Sequence, residues 1–337
     1  SLSFSAPVQN SGNNIVRAKN LGWDDFFERQ LDTSDLGFIR ARVSRQNTDS
    51  LMLLSEIGEL TGVLPGKFKE NNKEDLPTIG DWVLATKPEN FETNKVLIQK
   101  TLARKNILAR TEIGQGKRRQ LMAANVDRVF IVAGLDKEFN PRKIERYLLL
   151  CWSLALEPVI VLNKLDLIKN PESAIKKVSA IAGDAPILCL STLTRMGEES
   201  FLSHLTEGST NIFLGSSGVG KSSISNMILG QESFLTGPVR DKDSKGRHTT
   251  SYRELVLTEQ DFVIIDTPGM RGLQIWKENV SLDAFQDILD LAENCKFSDC
   301  AHLTEPDCAL KKAEENGLIS SERISQFRIL SQAKNPL

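Results

Sequence analysis

The sequence predicts a multidomain protein with a small β-barrel at its N-terminus, an α/β domain in its centre and an α-helical, metal-binding segment at its C-terminus. Three patterns indicate this order: short β-type runs between turn residues, then apolar strands that alternate with amphipathic helices, then a cluster of cysteines. The length of 337 residues also exceeds one ordinary domain of about 100–200 residues. We expect an N-terminal extension with a short helix, the barrel, the α/β domain and the metal-binding domain at residues 1–35, 36–110, 111–277 and 278–337.

Composition indicates a soluble globular protein. Hydrophobic residues make up 40% of the chain and charged residues 26%, and no apolar run approaches the roughly 18 residues of a membrane span. Residues 1–16 lack the charged start, apolar centre and cleavage site of a signal peptide, so we expect the protein in the cytoplasm. The formal net charge of −2 argues against a surface that coats nucleic acid generally, so any RNA contact has to come from local basic clusters.

Short strands dominate the sequence before residue 110. Ahead of them, a short docking helix is predicted by four apolar residues at helical spacing, Trp23, Phe26, Phe27 and Leu31. Five β-type runs then alternate with turn residues: FIRARVS, DSLMLLSE, GELTGVLPG, DWVLATK and NKVLIQKTL. Strands at this spacing predict a small barrel, and the five-stranded OB fold is the commonest barrel of matching size.

A basic stretch follows the last of these runs and is interpreted as a linker. Its basic residues are Lys100, Arg104, Lys105, Arg110, Lys117, Arg118 and Arg119. On spacing alone, a solvated connector and an RNA contact are equally well supported.

After Asn125 the sequence changes to apolar strands that alternate with amphipathic helices, which is typical of a parallel sheet covered on both faces. The candidate parallel strands are RVFIVAG (128–134), PVIVLN (158–163), APILCLS (185–191), NIFLGS (211–216) and FVIIDT (262–267). The run YRELVLT (252–258) is expected to pair as an antiparallel edge strand. Between the first two strands, Asn140 predicts a helix N-cap and Pro141 the first helical turn.

A phosphate-binding loop lies between the strand NIFL and a helix that begins near Lys221. Its residues are Gly215, Ser216, Ser217, Gly218, Val219, Gly220, Lys221 and Ser222, and Ser223 is counted with them. The glycines allow backbone N–H groups to surround phosphate oxygens, Lys221 reaches the outer phosphates and Ser222 offers its hydroxyl to Mg²⁺. The order of strand, loop and helix argues against an accidental match and predicts a nucleotide site.

The motif DTPG (266–269) ends the strand FVII downstream of the phosphate-binding loop. At the carboxyl end of a strand, the Asp266 carboxylate can help to organise Mg²⁺. Gly269 then provides a backbone N–H for the terminal phosphate. The position after a buried strand is what gives this short motif its weight.

The motif NKLD (163–166) follows the strand PVIVL, at the edge where parallel sheets bind ligands. The Asp166 carboxylate can accept two hydrogen bonds from guanine, which adenine cannot supply in that geometry. Asn163 is expected to tie the loop together, and Lys164 to cover the ring. Two residues that close the strand APILCLS are candidates to contact the guanine oxygen, Ser191 and Thr192. Together with the phosphate-binding loop, this motif predicts a GTPase.

The motifs occur in an unusual order. Ordinary GTPases place the phosphate-binding loop first and NKxD last, whereas here Asn163 precedes Gly215. The same sheet can be built if the former termini are joined and the chain is cut just before RVFIVAG. The sequence therefore predicts a circularly permuted GTPase domain with additional domains before and after it.

Four potential metal ligands have the spacing C-x4-C-x-H-x5-C near the C-terminus: Cys295, Cys300, His302 and Cys308. Sulfur and nitrogen ligands of this kind suit tetrahedral Zn²⁺, and no coordination position is left open. We therefore expect one structural zinc ion per chain, which clamps a small helical segment. Cys151 and Cys189 lie in apolar sequence and are expected in the core.

These motifs resemble the RsgA (YjeQ) family of circularly permuted GTPases, which act in maturation of the small ribosomal subunit. The resemblance is carried by LPTIGDW (76–82), ANVDRVFIVAGLDKEFNPRKIERYLLL (124–150), NKLD, GSSGVGKS, GRHTT (246–250), DTPGMRG (266–272) and the cysteine cluster. It implies an OB domain, a permuted GTPase domain and a zinc domain, with the small ribosomal subunit as partner and stimulator of hydrolysis. It also makes RNA contact by the basic stretch the favoured alternative.

The segment GRHTT has the polar, glycine-bearing character of a switch loop. A threonine there can bind Mg²⁺ when GTP is present, and Thr250 is slightly favoured over Thr249. Met270 stands where many GTPases have a glutamine that orients water, and its thioether cannot polarise water. We hypothesise that His248 positions the attacking water, as the family resemblance also suggests; the alternative is a solvated loop histidine.

Two function classes fit these motifs. One is a GTPase that binds the small (30S) ribosomal subunit and its rRNA and assists its late maturation; the other is a small-molecule P-loop enzyme, such as a nucleotide-dependent kinase. The base motif favours the GTPase, because a kinase has no need of NKLD together with DTPG. A signalling GTPase that does not bind RNA is disfavoured by the barrel and the basic stretch. We expect a monomer that binds GTP or GDP with Mg²⁺, and no membrane partner.

Overall fold

A computed structural model describes residues 16–66, 76–88, 94–111, 119–229, 254–266, 285–297, 300–303 and 305–334. Two compact units make up the fold. One is drawn from Ser1–Arg128, Glu198–Phe213 and Gly220–Gly272, and the other from Val129–Gly197, Leu214–Val219 and Leu273–Leu337. Within the described ranges, no helix is both long and apolar enough to cross a membrane.

The described chain begins with short helices that pack on the barrel. Helix α1 (Asp25–Glu28) lies between two 3-10 helices, Ala18–Leu21 and Thr33–Gly37. The rings of Trp23 and Phe27 are buried against Trp82 of the barrel, with centroids 4.8 and 6.0 Å from it. The predicted docking helix is confirmed, although it is a single turn and Trp23 precedes it.

Five strands close a barrel in the order β1-β2-β3-β5-β4. The strands are β1 (Ile39–Gln46), β2 (Leu51–Ser55), β3 (Gly58–Val63), β4 (Trp82–Ala85) and β5 (Lys95–Thr101). Strands β3 and β5 run parallel, and the other neighbours run antiparallel. Side chains such as Val43, Leu53 and Ile98 fill its interior. The OB-type barrel is confirmed, and each predicted run coincides with one strand to within a few residues.

The described parts of the basic stretch, residues 100–111 and 119, do not form a linker. Lys100 belongs to β5, and β6 (Ile107–Thr111) pairs antiparallel with β7 (Arg119–Ala124) as a two-stranded sheet. Three of its basic side chains form ion pairs inside the fold, namely Lys100 with Asp35, Arg104 with Asp81 and Lys105 with Asp24. The linker prediction was wrong because the acidic partners are distant in sequence and the charge pattern does not reveal them.

A buried arginine joins three segments of this unit. The Arg42 guanidinium donates hydrogen bonds to the backbone carbonyls of Leu21, Gly80 and Asn125. Only 1% of the residue is exposed, and burial lowers its pKa to about 10. Because a buried cation is costly without partners, these three carbonyls tie the 3-10 helix before α1 and the residue after β7 to the barrel.

A six-stranded sheet has the order β10-β9-β8-β11-β13-β12. Its strands are β8 (Arg128–Gly134), β9 (Glu157–Asn163), β10 (Ile187–Cys189), β11 (Thr210–Leu214), β12 (Glu254–Leu257) and β13 (Val263–Asp266). Strand β12 pairs antiparallel with β13 at one edge, whereas the pairs β10–β9 and β11–β13 are parallel. Parallel pairing is confirmed for four of the predicted strands, β9, β10, β11 and β13, and antiparallel pairing for the edge strand β12; RVFIVAG forms β8, between β9 and β11 in the order.

The helices that follow these strands are α2 (Pro141–Ser153), α3 (Glu172–Ala182), α4 (Glu198–Leu202) and α5 (Lys221–Leu229). The Asn140 side chain accepts a hydrogen bond from the Arg142 amide at 3.0 Å, which confirms the predicted N-cap of α2. One face of α2, including Ile144, Leu148 and Cys151, is buried. Burial raises the pKa of the Cys151 thiol, as expected for a cysteine that packs in the core.

The C-terminal segment is helical. It contains α6 (Gln286–Ala292), α7 (Ala309–Glu315) and α8 (Ser321–Lys334), and α8 packs against α2. The rings of Phe285 and Phe327 have centroids 6.0 Å apart, and Arg323 of α8 pairs with Asp287 of α6 at 2.7 Å. These contacts join α8 to the start of the segment, on either side of the cysteine cluster.

Candidate nucleotide-binding site and metal cluster

The phosphate-binding loop follows β11 and leads into α5, as predicted. At Gly215 a Cβ would lie 2.3 Å from the Val132 carbonyl oxygen of β8, so no larger residue fits there. Gly220 has a φ of +100°, and its carbonyl accepts a hydrogen bond from the Ile224 amide at 2.9 Å. The chain therefore turns sharply from the strand into the helix, in the form that a cradle of backbone N–H groups requires.

The remaining predicted loop residues differ in exposure. Val219 is buried, Ser216 and Lys221 are half-buried, and four residues are exposed: Ser217, Gly218, Ser222 and Ser223. Asp266 is the last residue of β13, which places its backbone at the carboxyl end of the strand beside β11. The other predicted phosphate and switch residues, His248, Thr250 and Gly269, lie outside the described residues.

Asn163 connects the base motif to the phosphate-binding loop. It ends β9, is only 1% exposed, and its Nδ2 donates a hydrogen bond to the Val219 carbonyl oxygen at 2.9 Å. Its buried Oδ1 accepts no hydrogen bond from the part of the chain that the structure describes. The side chain thus holds two loops together that are far apart in sequence, as expected for the first residue of this motif.

Asp166 lies in a 3-10 turn, Leu165–Leu167, and is held by a serine that follows the end of β10. The Ser191 hydroxyl donates a hydrogen bond to Asp166 Oδ1 at 2.5 Å and accepts one from the Thr194 amide at 3.1 Å. Ser191 is fully buried, whereas Thr192 is half-buried. In these contacts Ser191 orients the Asp166 carboxylate, whereas the sequence pattern predicted Ser191 and Thr192 as candidates to contact the guanine oxygen.

Lys164 has a carboxylate partner that the motif does not predict. Its backbone is left-handed, with φ 65° and ψ 38°, and its ammonium lies 2.5 Å from Asp136 Oδ2. The hydrogen bond from Lys164 lowers the pKa of the Asp136 carboxyl. Asp136 follows the end of β8 closely, so its position after a parallel strand was a signal that could have identified it.

Three cysteines and a histidine meet near the C-terminus. The ligand atoms of Cys295, Cys300, His302 and Cys308 all lie within 4.8 Å of one another. His302 Nδ1 is 3.5 Å from Cys295 Sγ and 3.5 Å from Cys308 Sγ. Sulfur and nitrogen ligands at about 2.3 and 2.0 Å from one tetrahedral Zn²⁺ are about 3.5 Å apart, so this set of donors fits zinc.

The backbone around this cluster is fixed by hydrogen bonds. The Glu305 carboxylate accepts hydrogen bonds from the amides of Ala301 and Leu303 at 3.0 and 2.8 Å. Arg328 of α8 donates a hydrogen bond to the His302 carbonyl oxygen. Burial, and then the positive charge of Arg328, lower the pKa of His302 and favour the neutral imidazole that binds metals.

Comparison with known proteins places this geometry in a family. The family described as RsgA GTPase matches residues 101–276. A small ribosomal subunit biogenesis GTPase RsgA from Opitutus terrae is 36% identical over 324 residues, which cover 93% of this chain and 88% of the relative. The RsgA 2 protein of Vibrio parahaemolyticus is 39% identical over 320 residues, covering 93% of this chain and 84% of the relative.

A solved structure gives the same result. The crystal structure of YjeQ from Thermotoga maritima is 29% identical in sequence and superimposes with a TM-score of 0.58, over 89% of this chain and 100% of that one. The family match, the identity to relatives over most of the chain and the permuted order of the motifs agree. This chain therefore belongs to the RsgA GTPase family.

Proposed function

We propose that this protein is a GTPase that binds the small ribosomal subunit and its rRNA and assists the subunit's late maturation, hydrolysing GTP to GDP and phosphate when the subunit stimulates it. The observation that carries the proposal is the hydrogen bond from Asn163 to Val219, because it unites a base-reading motif with a phosphate-binding loop. Relatives that are 36% and 39% identical and are named as small ribosomal subunit biogenesis GTPases support the ribosomal partner.

The phosphate end of the proposed site is built from the loop and its helix. Backbone N–H groups of residues 215–220 surround the phosphates, and Lys221 at the start of α5 binds the outer ones. Ser222 and Asp266 are the residues that would hold Mg²⁺, which neutralises charge on the phosphates when it is bound. Because phosphoryl transfer depends mainly on positioning and charge, these groups require no covalent step by the protein.

The base end of the site selects guanine. Asp166 accepts hydrogen bonds from the guanine N1 and exocyclic amine, and its hydrogen bond from Ser191 holds it in place for both. Asn163 fixes the distance between base and phosphates through Val219. Thr192 is the residue that we assign to the guanine oxygen. An adenine base would leave Asp166 without its donors, so we expect the site to select against ATP.

Hydrolysis is assigned to the switch residues. His248 positions the attacking water, Thr250 binds Mg²⁺ when GTP is present, and Gly269 donates its N–H to the terminal phosphate. In this mechanism GTP orders the switch, the ordered state binds the small subunit, and hydrolysis releases it.

The other domains serve the ribosomal partner. We propose that the barrel and the basic stretch contact rRNA, with the exception of Arg104, whose charge is satisfied by the buried Asp81. One zinc ion bound by Cys295, Cys300, His302 and Cys308 has a structural role. We propose that the protein is a monomer and that it acts in the cytoplasm, where it meets the subunit. We also propose domain boundaries after residues 35, 110 and 277.

The test is GTP hydrolysis by the purified protein with and without small ribosomal subunits, with large subunits and ATP as controls. Strong stimulation by small subunits with GTP alone is the expected result. Turnover that is driven by ATP or that subunits do not stimulate would favour the small-molecule P-loop enzyme. Failure to co-sediment with small subunits under a nonhydrolysable GTP analogue would favour a signalling GTPase that does not bind RNA.

A further inference from the structure

Asp136 is an acidic residue at the nucleotide site that belongs to neither the phosphate-binding loop nor the base motif. Its Oδ2 lies 2.5 Å from the Lys164 ammonium, and both side chains are partly shielded from solvent, with 22% and 30% of their areas exposed. A pair in this position combines a short charge-assisted hydrogen bond with a long, otherwise flexible side chain. The pair therefore limits where the lysine stem can go.

Asp136 is itself held rigidly. Its Oδ1 accepts a hydrogen bond from the Glu138 amide at 2.9 Å, and its carbonyl accepts one from the Phe139 amide at 3.0 Å. At Gly134 a Cβ would lie 3.0 Å from Asp136 Oδ2, so the glycine leaves room for the carboxylate. The carboxylate thus offers a fixed partner and is not a mobile surface group that meets the lysine by chance.

The segments that carry the two residues are also joined through their backbones. The Leu135 amide donates a hydrogen bond to the Asn163 carbonyl oxygen at 2.8 Å. This bond lies one residue before Asp136 and one residue before Lys164, so main chain and side chains connect the same two loops. The left-handed backbone of Lys164 then sets the direction in which its side chain leaves the loop.

We propose that Asp136 is a positioning residue for guanine binding, which holds the Lys164 stem over the base through their ion pair and does not itself touch the nucleotide. This inference rests on the proposed function. The rotamers of Lys164 are restricted before the nucleotide arrives, so less side-chain freedom is lost on binding and affinity rises. The effect is confined to binding, because the pair lies at the base and not at the reacting phosphate.

The test compares Asp136→Ala, Asp136→Asn, Lys164→Met and the double variant D136A/K164M in the full-length protein. Binding of a fluorescent GDP analogue is measured by titration. We expect D136A to raise Kd by about 2–5-fold, the upper part of the range for a partly exposed ion pair, and D136N by less, because its amide oxygen still accepts a hydrogen bond. Methionine keeps the apolar stem of Lys164 but removes the ion pair, so the double variant should bind within about twofold of K164M.

Kinetics separate positioning from a general structural role. With small subunits and GTP, the loss in D136A should appear in KM and not in kcat, since binding of the base is weakened while phosphoryl transfer is not. A matched control is Asp287→Asn, which breaks the ion pair of Asp287 with Arg323, in the C-terminal helices. This control should leave Kd for GDP at the wild-type value.

Two results would overturn the proposal. One is wild-type affinity for GDP in both D136A and D136N. The other is an increase in Kd of the double variant that equals the product of the increases in D136A and K164M. If D136A does not fold, D136N, which has a near-identical shape, and the double variant D136N/K164M replace it in both comparisons. A wild-type protein that binds GDP no better than ADP would contradict the proposed function as well, which distinguishes that failure from a failure of Asp136 alone.

Discussion

Replacing Arg104 by methionine is expected to destabilise the barrel by about 3–5 kcal/mol, because it breaks a buried ion pair. Arg104 Nε and Nη2 each donate to one oxygen of Asp81 at 2.8 Å, and Nη2 also donates to the Leu76 carbonyl at 2.9 Å. The side chains of Asp81 and Arg104 are 0% and 14% exposed, so water screens the pair weakly. Without the guanidinium, the Asp81 carboxylate would be left buried without its ion-pair partner, and this is the source of the large cost.

Urea unfolding followed by circular dichroism measures the loss. Arg40→Met is the matched control, since Arg40 pairs with Glu28 at 3.2 Å but the two side chains are 36% and 51% exposed, and its removal should cost at most about 1 kcal/mol. Burial raises the pKa of Asp81, and removing Arg104 raises it further. When the pKa of a carboxyl is higher in the folded than in the unfolded protein, its protonation at lower pH stabilises the folded state. Because this pKa is higher in Arg104→Met than in wild type, the difference in free energy of unfolding between the two proteins should shrink between pH 7 and pH 5.

An Arg104→Met protein whose free energy of unfolding is within about 1 kcal/mol of wild type would show that the ion pair with Asp81 contributes little to the stability of the barrel. If that variant also bound small subunits more weakly, Arg104 would be an RNA contact, as the basic stretch first suggested. If it were destabilised but bound subunits normally under folding conditions, Arg104 would act within the barrel alone.

Three further predictions concern the nucleotide and metal sites. Asp166→Asn should weaken GDP binding by about 100-fold and improve binding of xanthosine diphosphate, whose C2 oxygen accepts from the new amide; unchanged selectivity in the same titration would contradict the role of Asp166. His248→Ala should retain GTP binding but lose about 100-fold or more of the subunit-stimulated rate, and full stimulated hydrolysis would exclude His248. Cys300→Ser should lose its zinc, measured by atomic absorption, and part of its helical signal while still binding GDP; full zinc content would contradict the Cys₃His site.

Regular strands were predictable because each is a local pattern. The runs before and after residue 110 coincide with the barrel strands and with the six-stranded sheet. The strands β6 and β7 were not predicted, because their apolar stretches are short and lie among many charged residues. They form a sheet only by pairing with each other. The buried Arg42 was also missed, since its three carbonyl partners come from separate segments of the chain.

The nucleotide motifs were predictable for a different reason. Phosphate and guanine recognition require specific side chains at fixed spacing, so the loop at residues 215–222 and the motif at residues 163–166 are visible in a single sequence. The residues that hydrogen-bond to these motifs do not lie at a fixed spacing from them in the sequence. Ser191 beside Asp166 and Asp136 beside Lys164 follow the ends of other strands, and only folding brings them within hydrogen-bonding distance.

Residue type and short-range spacing are enough to predict the class of domains, the permuted order of the motifs and the four candidate metal ligands. Only the tertiary structure shows which charged side chains form ion pairs within the fold and which loops are joined by hydrogen bonds. Asn163 against Val219 and Arg104 against Asp81 are contacts between residues remote in sequence. Burial strengthens such contacts and makes their loss costly, and burial is a property that the chain acquires only when it is packed.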